Sequence, residues 1–142
     1  MEFIKLKDEE IKRLYDLAEY GYVFDWTKKS SDKSEIVVLH RNGDILGLVE
    51  FERVDKSQVF LIWLIEVADP YKKDGATGRL LAYVAREARN LMFNAVLITE
   101  AKAYLYERYI KTFDALSISG HHLMFDKIAM QGLVTAYLEE ED

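Results

Sequence analysis

Hydrophobic residues recur along this chain in two rhythms, every second residue and every third or fourth, and the changes of rhythm mark its elements. Glu2-Phe3-Ile4-Lys5-Leu6 alternates as a short strand does. Beyond Asp8, placed as a helix N-cap, Ile11, Leu14, Leu17 and Ala18 share one helical face that ends at Gly21. Tyr20, Tyr22, Phe24 and Trp26 then cluster ahead of the polar stretch Lys28–Ser34. The cluster has two readings, a second short helix plugging the core or the wall of a substrate pocket. Glu35–His40 and Ile45–Glu52 flank Asn42-Gly43, a strong hairpin signal, and a turn at Asp55-Lys56-Ser57 leads to the nine-residue apolar run Val59–Val67. Three antiparallel strands therefore precede the chain's only proline, Pro70.

The second half changes period. A loop with Lys72, Lys73, Gly75 and Gly78 feeds an amphipathic helix with Leu80, Leu81, Val84, Ala88 and Leu91 inward and Arg79, Arg86 and Glu87 outward. Ala95–Ile98 is a short buried strand, so strand, helix and strand form a crossover whose two strands lie parallel. A helix over Ala101–Phe113, strands over Ala115–Ser119 and His122–Lys127 parted by Gly120, and a last helix over Ala129–Glu140 complete the order. In that helix Leu133, Ala136 and Tyr137 fall at helical spacing, and the chain ends Glu139-Glu140-Glu141-Asp142. The expected fold class is α/β (α+β), a mixed, mostly antiparallel central sheet flanked by helices with an extra C-terminal helix, in a single domain over 1–142. Two uses for the closing helix stay open: covering a sheet edge, or pairing with another copy as a homodimer.

Composition narrows the classes. Half of the 142 residues are hydrophobic, and a chain this long buries roughly 68–70% of its unfolded surface, enough for one core without staples. There is no cysteine, hence no disulfide framework, thiolate metal site or thiol nucleophile. The first residues lack the build of a signal peptide and no apolar run nears ~18 residues, so the expectation is a soluble, cytoplasmic protein without membrane contact. A formal charge of −6 speaks against a nucleic-acid partner. It suits a cationic partner such as an amine, and equally suits ordinary solubility.

The loop between Val67 and Leu81 carries the chemistry. A strand, a loop of small residues and a helix start make an anion cradle, because free N–H groups and the positive helix end converge there. Lys73-Asp74-Gly75-Ala76-Thr77-Gly78 resembles the pyrophosphate loop of the GNAT superfamily, the acyl-CoA-dependent N-acetyltransferases, whose pattern is R/Q-x-x-G-x-G/A. Lys73 stands at the leading position, Ala76 at the first glycine and Gly78 at the last; lysine and alanine depart from the pattern, and Asp69 lengthens the approach by one residue.

The resemblance implies a GNAT-like fold from about Phe3 to Lys127, acetyl-CoA as cofactor and direct attack by an amine, on a small molecule or a protein. It places the diphosphate on Lys73, Asp74, Gly75, Ala76, Thr77, Gly78 and Arg79, and the pantetheine arm on the strand end around Glu66, Val67 and Ala68. Replacing Gly78 by a bulky residue is then expected to leave the fold intact and abolish CoA binding. The family's acid is a tyrosine within N-x-x-A-x-x-F-Y-E-K, and Leu105-Tyr106-Glu107-Arg108 matches its end, with Thr99 at the asparagine position. Tyr106 is the candidate acid and Tyr109 its rival. Glu66 is the candidate base, with Glu50 and Glu52 on the neighbouring strand and a water relay as alternatives. His121-His122 does not read as a metal pair, since adjacent strand residues point to opposite faces. Three functions stay open: an N-acetyltransferase, a non-catalytic GNAT-fold protein binding CoA or a protein partner in regulation, and an interaction module whose loop binds nothing.

Overall fold

Asn42 and Gly43 take positive φ angles of 53° and 89°, as a two-residue hairpin turn requires, and the strands on either side zip together. The computed structural model describes residues 1–68, 75–99, 103–119 and 122–138. Its strands are β1 (Glu2–Lys5), β2 (Ser34–Arg41), β3 (Asp44–Val54), β4 (Val59–Val67), β5 (Ala95–Ile98), β6 (Leu116–Ser119) and β7 (His122–Phe125). They form one sheet in the order β1-β2-β3-β4-β5-β7-β6. Among the described residues β4 and β5 alone pair in parallel, as the crossover predicts.

The helices are α1 (Asp8–Ile11), α2 (Ala76–Asn90), α3 (Ala103–Phe113) and α4 (Lys127–Tyr137). The expected long first helix is interrupted. α1 stops at Ile11, and a 3₁₀ segment, Leu14–Tyr20, carries the chain to Gly21. Asp8 is the first helical residue rather than the cap, which falls at Lys7, where the Glu10 carboxylate accepts the main-chain N–H at 3.0 Å. The second short helix in the aromatic cluster does not form.

The two faces of the sheet carry separate cores. On one, Ile36, Val38 and Leu48 pack against Ile11, Leu17, Tyr22 and Trp26. On the other, Val37, Leu39, Val49, Phe51, Phe60 and Ile62 meet Leu80, Leu81, Val84 and Ala88 of α2. Each such side chain, when fully buried, is worth roughly 1.5–3 kcal/mol of transfer free energy. Leu91 lies just beyond α2 and is exposed, not inward as expected. α4 is capped by Asp126, whose carboxylate accepts the Ala129 N–H at 2.9 Å. It buries Ala129, Met130, Leu133 and Val134 in the α2 core, so it covers a sheet face and not an edge. Among the described residues no helix is long and apolar enough to cross a membrane.

Candidate functional site

β4 outruns its parallel neighbour. Pairing with β5 extends from Val59 opposite Ala95 to Ile62 opposite Ile98 and ends there, while β4 continues to Val67. At the same level its register with β3 shifts: Phe51 faces Ile62 and Glu50 faces Leu64, so Trp63 is an extra residue on β4. Such a bulge bends the strand and sharpens its twist. Past the bulge, Trp63–Val67 have no strand paired with them on the β5 side among the described residues, and this unpaired edge is the gap between β4 and β5. An extended, amide-bearing ligand pairs with an edge of this kind.

The first turn of α2 stands beyond the end of that strand. Gly75 is its N-cap in the left-handed region (φ 75°), and the first helical bond closes from Arg79 N to Gly75 O at 3.0 Å. The N–H groups of Ala76, Thr77 and Gly78 therefore precede the intrahelical ladder, at the positive dipole end. No acidic side chain stands in that turn. Ala76, Thr77, Gly78 and the strand-end residues Val67 and Ala68 are all buried. Lys73 and Asp74 lie outside the described residues, as does His121.

Gly78 is a glycine for a reason the sequence does not show. A Cβ placed there would overlap the hydroxyl end of the Tyr137 ring, which α4 lays across the first turn of α2. A bulky residue at Gly78 would therefore overlap the half-buried Tyr137 ring, which has to move aside before such a side chain fits.

The candidate carboxylates are engaged. By the strand register Glu50 and Glu66 share the face covered by the N-terminal segment, as diagonal neighbours on β3 and β4. Glu66 accepts the main-chain N–H groups of Val23 (2.6 Å) and Phe24 (3.1 Å) and the Trp26 indole N–H (2.8 Å). Glu50, fully buried, accepts Ser30 N–H at 2.5 Å, Ser30 Oγ at 2.7 Å and Ser34 Oγ at 2.5 Å. These six bonds staple residues 23–34 across the sheet. Glu52 receives Trp63 Nε1 at 3.2 Å, and a hydrogen bond from Ser31 above all, then Trp63 and Lys33, holds its carboxyl below the ordinary value. Alternation reveals which glutamates share a face. It carries no sign that a segment 16 to 43 residues earlier returns with donors for them, although Ser30, Ser34 and Trp26 are the residue types able to do so.

The two tyrosines of α3 part company. Tyr109 is 2% exposed, its ring 6.2 Å from that of Phe113 inside the main core. Tyr106 is half-buried, and its hydroxyl donates to Ser117 Oγ on the edge strand β6. The sheet order puts β6 two strands beyond β5, roughly 10 Å from it at ordinary strand spacing.

A family model described as "Acetyltransferase (GNAT) family" matches residues 2–110. No protein of curated function matches in sequence. Among solved structures, Tetrahymena GCN5 is similar at 12% identity and a TM-score of 0.61, covering 87% of this chain and 94% of that one. The ribosomal-protein-S18-alanine N-acetyltransferase of Escherichia coli aligns at 11% identity and TM-score 0.65, over 83% of this chain and 79% of the other. A chimeric spermidine N-acetyltransferase SpeG from Vibrio cholerae reaches TM-score 0.66 at 9% identity, over 93% and 99% of the two chains. At these identities the likeness is one of fold.

Proposed function

The chain belongs to the GNAT acetyltransferase family, and from that premise we propose that it moves the acetyl group of acetyl-CoA to an amine by direct attack. The observation that carries this reading is the end of the β4–β5 pairing at Ile62 and Ile98, with the Trp63 bulge beside it and the first turn of α2 following β4 in the chain. The donor set suits the group: unladdered N–H groups at Ala76, Thr77 and Gly78 for a diphosphate, and the open edge Trp63–Val67 for the amide-bearing arm. When bound, acetyl-CoA supplies an activated thioester. The chain's own part is to hold that arm in the gap, to direct a main-chain N–H of the β4 edge at the carbonyl oxygen, and to exclude water with the stapled segment. Tyr106 is the proposed acid, giving up the proton on its hydroxyl after leaving Ser117. Burial of Tyr109 favours Tyr106 over it. Glu66, its carboxylate taken by three donors, is proposed as a positioning residue for residues 23–26 rather than the base, which leaves deprotonation of the amine to water. The net charge of −6 favours a cationic acceptor.

The engagement of Glu66 and of the Tyr106 hydroxyl, which Ser117 on β6 holds, favours a second reading, a member that binds CoA in a regulatory role without turnover. Two measurements separate the readings. Saturating CoA should raise the melting temperature, by about 2.7 kcal/mol of linkage at 100-fold excess over Kd. Thiol release from acetyl-CoA should follow when a panel of polyamines, amino acids and peptide N-termini is added. Binding without thiol release selects the regulatory reading, and an unchanged melting temperature removes both.

A further inference from the structure

We propose that the last turn of α4 is an autoinhibitory latch on the cofactor site, with Tyr137 as its bolt. The latch rests on the assignment of the first turn of α2 as the diphosphate-binding end. α4 begins beyond the residues matched to the family and runs back along α2, burying Met130, Leu133 and Val134 in the same core. Its final residues reach the amino-terminal turn of α2. There the half-buried Tyr137 ring fills the space over Gly78 that a side chain would otherwise take, and stands 3.6 Å from the Cβ position of Gly75. The ring is backed by Phe113 of α3, with centroids 6.0 Å apart. The main-chain carbonyl of Tyr137 accepts a hydrogen bond from Arg79 Nη1 at 3.2 Å. Two features that would serve an incoming diphosphate, the bare flank of Gly78 and the Arg79 guanidinium, are thus both turned toward α4.

The contact is small enough to open. It comprises the half-buried Tyr137 ring on Phe113, the Arg79 hydrogen bond and the buried Leu138 side chain, all at the end of a helix, where fraying costs least. Its apolar anchor, Ala129 to Val134, lies more than half a turn away and stays in place when the final turn lifts. Only the open state offers its N–H groups and Arg79 to the diphosphate. The apparent Kd then equals the intrinsic value divided by the open fraction.

Isothermal titration of CoA into the full chain and into Tyr137→Ala tests this. The variant should bind about 10-fold tighter, as it would if the closed state held about nine molecules in ten. Because the chain has no cysteine, Thr135→Cys, at an exposed α4 position, can carry an environment-sensitive dye. Its emission should change when CoA binds to the Tyr137 protein, and change less in the Tyr137→Ala background. Should Tyr137→Ala fail to fold, Tyr137→Leu keeps an apolar contact with Phe113 while removing the ring, and the same tightening is expected. Equal or weaker binding by the folded variant, or CoA binding with a silent dye, overturns the latch and leaves the cofactor assignment standing. Absence of CoA binding by every variant overturns both together.

Discussion

Two tyrosines three residues apart on α3 meet opposite surroundings, and the difference sets their expected behaviour. Tyr109 is sealed in the core against Phe113, so Tyr109→Ala should cost roughly 3 kcal/mol of stability. Tyr106→Phe should leave the melting temperature unchanged and lower kcat for acetyl transfer about 10²-fold, the lower end of what a positioned acid contributes. The packing-neutral pair Tyr106→Phe and Tyr109→Phe, compared in one thiol-release assay, decides the assignment. A loss confined to Tyr109→Phe reverses it. The motif Leu105-Tyr106-Glu107-Arg108 made the location of these residues readable, because its helix follows a strand that the apolar run Ala95–Ile98 announces. Which tyrosine faces the core was not readable. That depends on how α3 is rolled against its neighbours, and Phe113 meets Tyr137 from a helix 14 residues further on, beyond the reach of any local pattern. The same holds for Glu50 and Glu66, whose partners come from a polar segment with no periodicity of its own.

At the scale of elements, strands were legible where alternation and turn chemistry agreed. Asn42-Gly43 located the β2–β3 hairpin, and β4 and β5 begin and end where their apolar runs do. The feature that matters most for the proposed site is not readable from the sequence. Nothing in Phe60-Leu61-Ile62-Trp63-Leu64-Ile65 distinguishes a bulged residue from a regular one, because every position is apolar and alternation is lost. The bulge falls where the pairing with β5 ends: β5 follows β4 as far as Ile62, and the register with β3 shifts just past it. Deleting Trp63 should make Ile62–Phe51 and Leu64–Glu50 consecutive pairs in an unbroken ladder. The shortened chain is expected to fold, as judged by its circular dichroism spectrum, because no pair with β3 is lost. A straightened β4 would close the gap. CoA affinity and turnover should therefore fall about 10²-fold or more, the scale on which misplacement of about 1 Å is felt. A Trp63-deleted protein that still binds CoA with native affinity would show that the gap does not depend on the bulge.

At the scale of the molecule, one sheet faces two unlike cores, and α2 joins the larger of them to the site. Tyr83 sits on α2 between these roles, its ring 4.8 Å from Phe3 and 6.0 Å from Phe51, with the Arg86 guanidinium 5.6 Å above it. Burial first, and then the charge and hydrogen bond of Glu87, push its phenol from 10.0 up to about 12. The unfolded chain gives up this proton near the ordinary value, so between about pH 10 and about pH 12 the folded protein holds one proton more than the unfolded one. The contribution of Tyr83 is thus complete below about pH 10 and is lost as pH rises toward about 12. Alkali also strips charge from lysines, and with a formal charge of −6 already at pH 7 the whole molecule repels itself more strongly there. The two effects separate by substitution. Tyr83→Phe leaves the global charge term in place and removes the tyrosine's own slope, while keeping the ring on Phe3 and Phe51. Urea melts from pH 9 to pH 12 should show the wild-type midpoint falling more steeply than that of Tyr83→Phe, with the curves together at the lower end. Parallel curves throughout would mean that Tyr83 releases its proton as readily when folded as when unfolded, and that alkaline loss belongs to net charge alone.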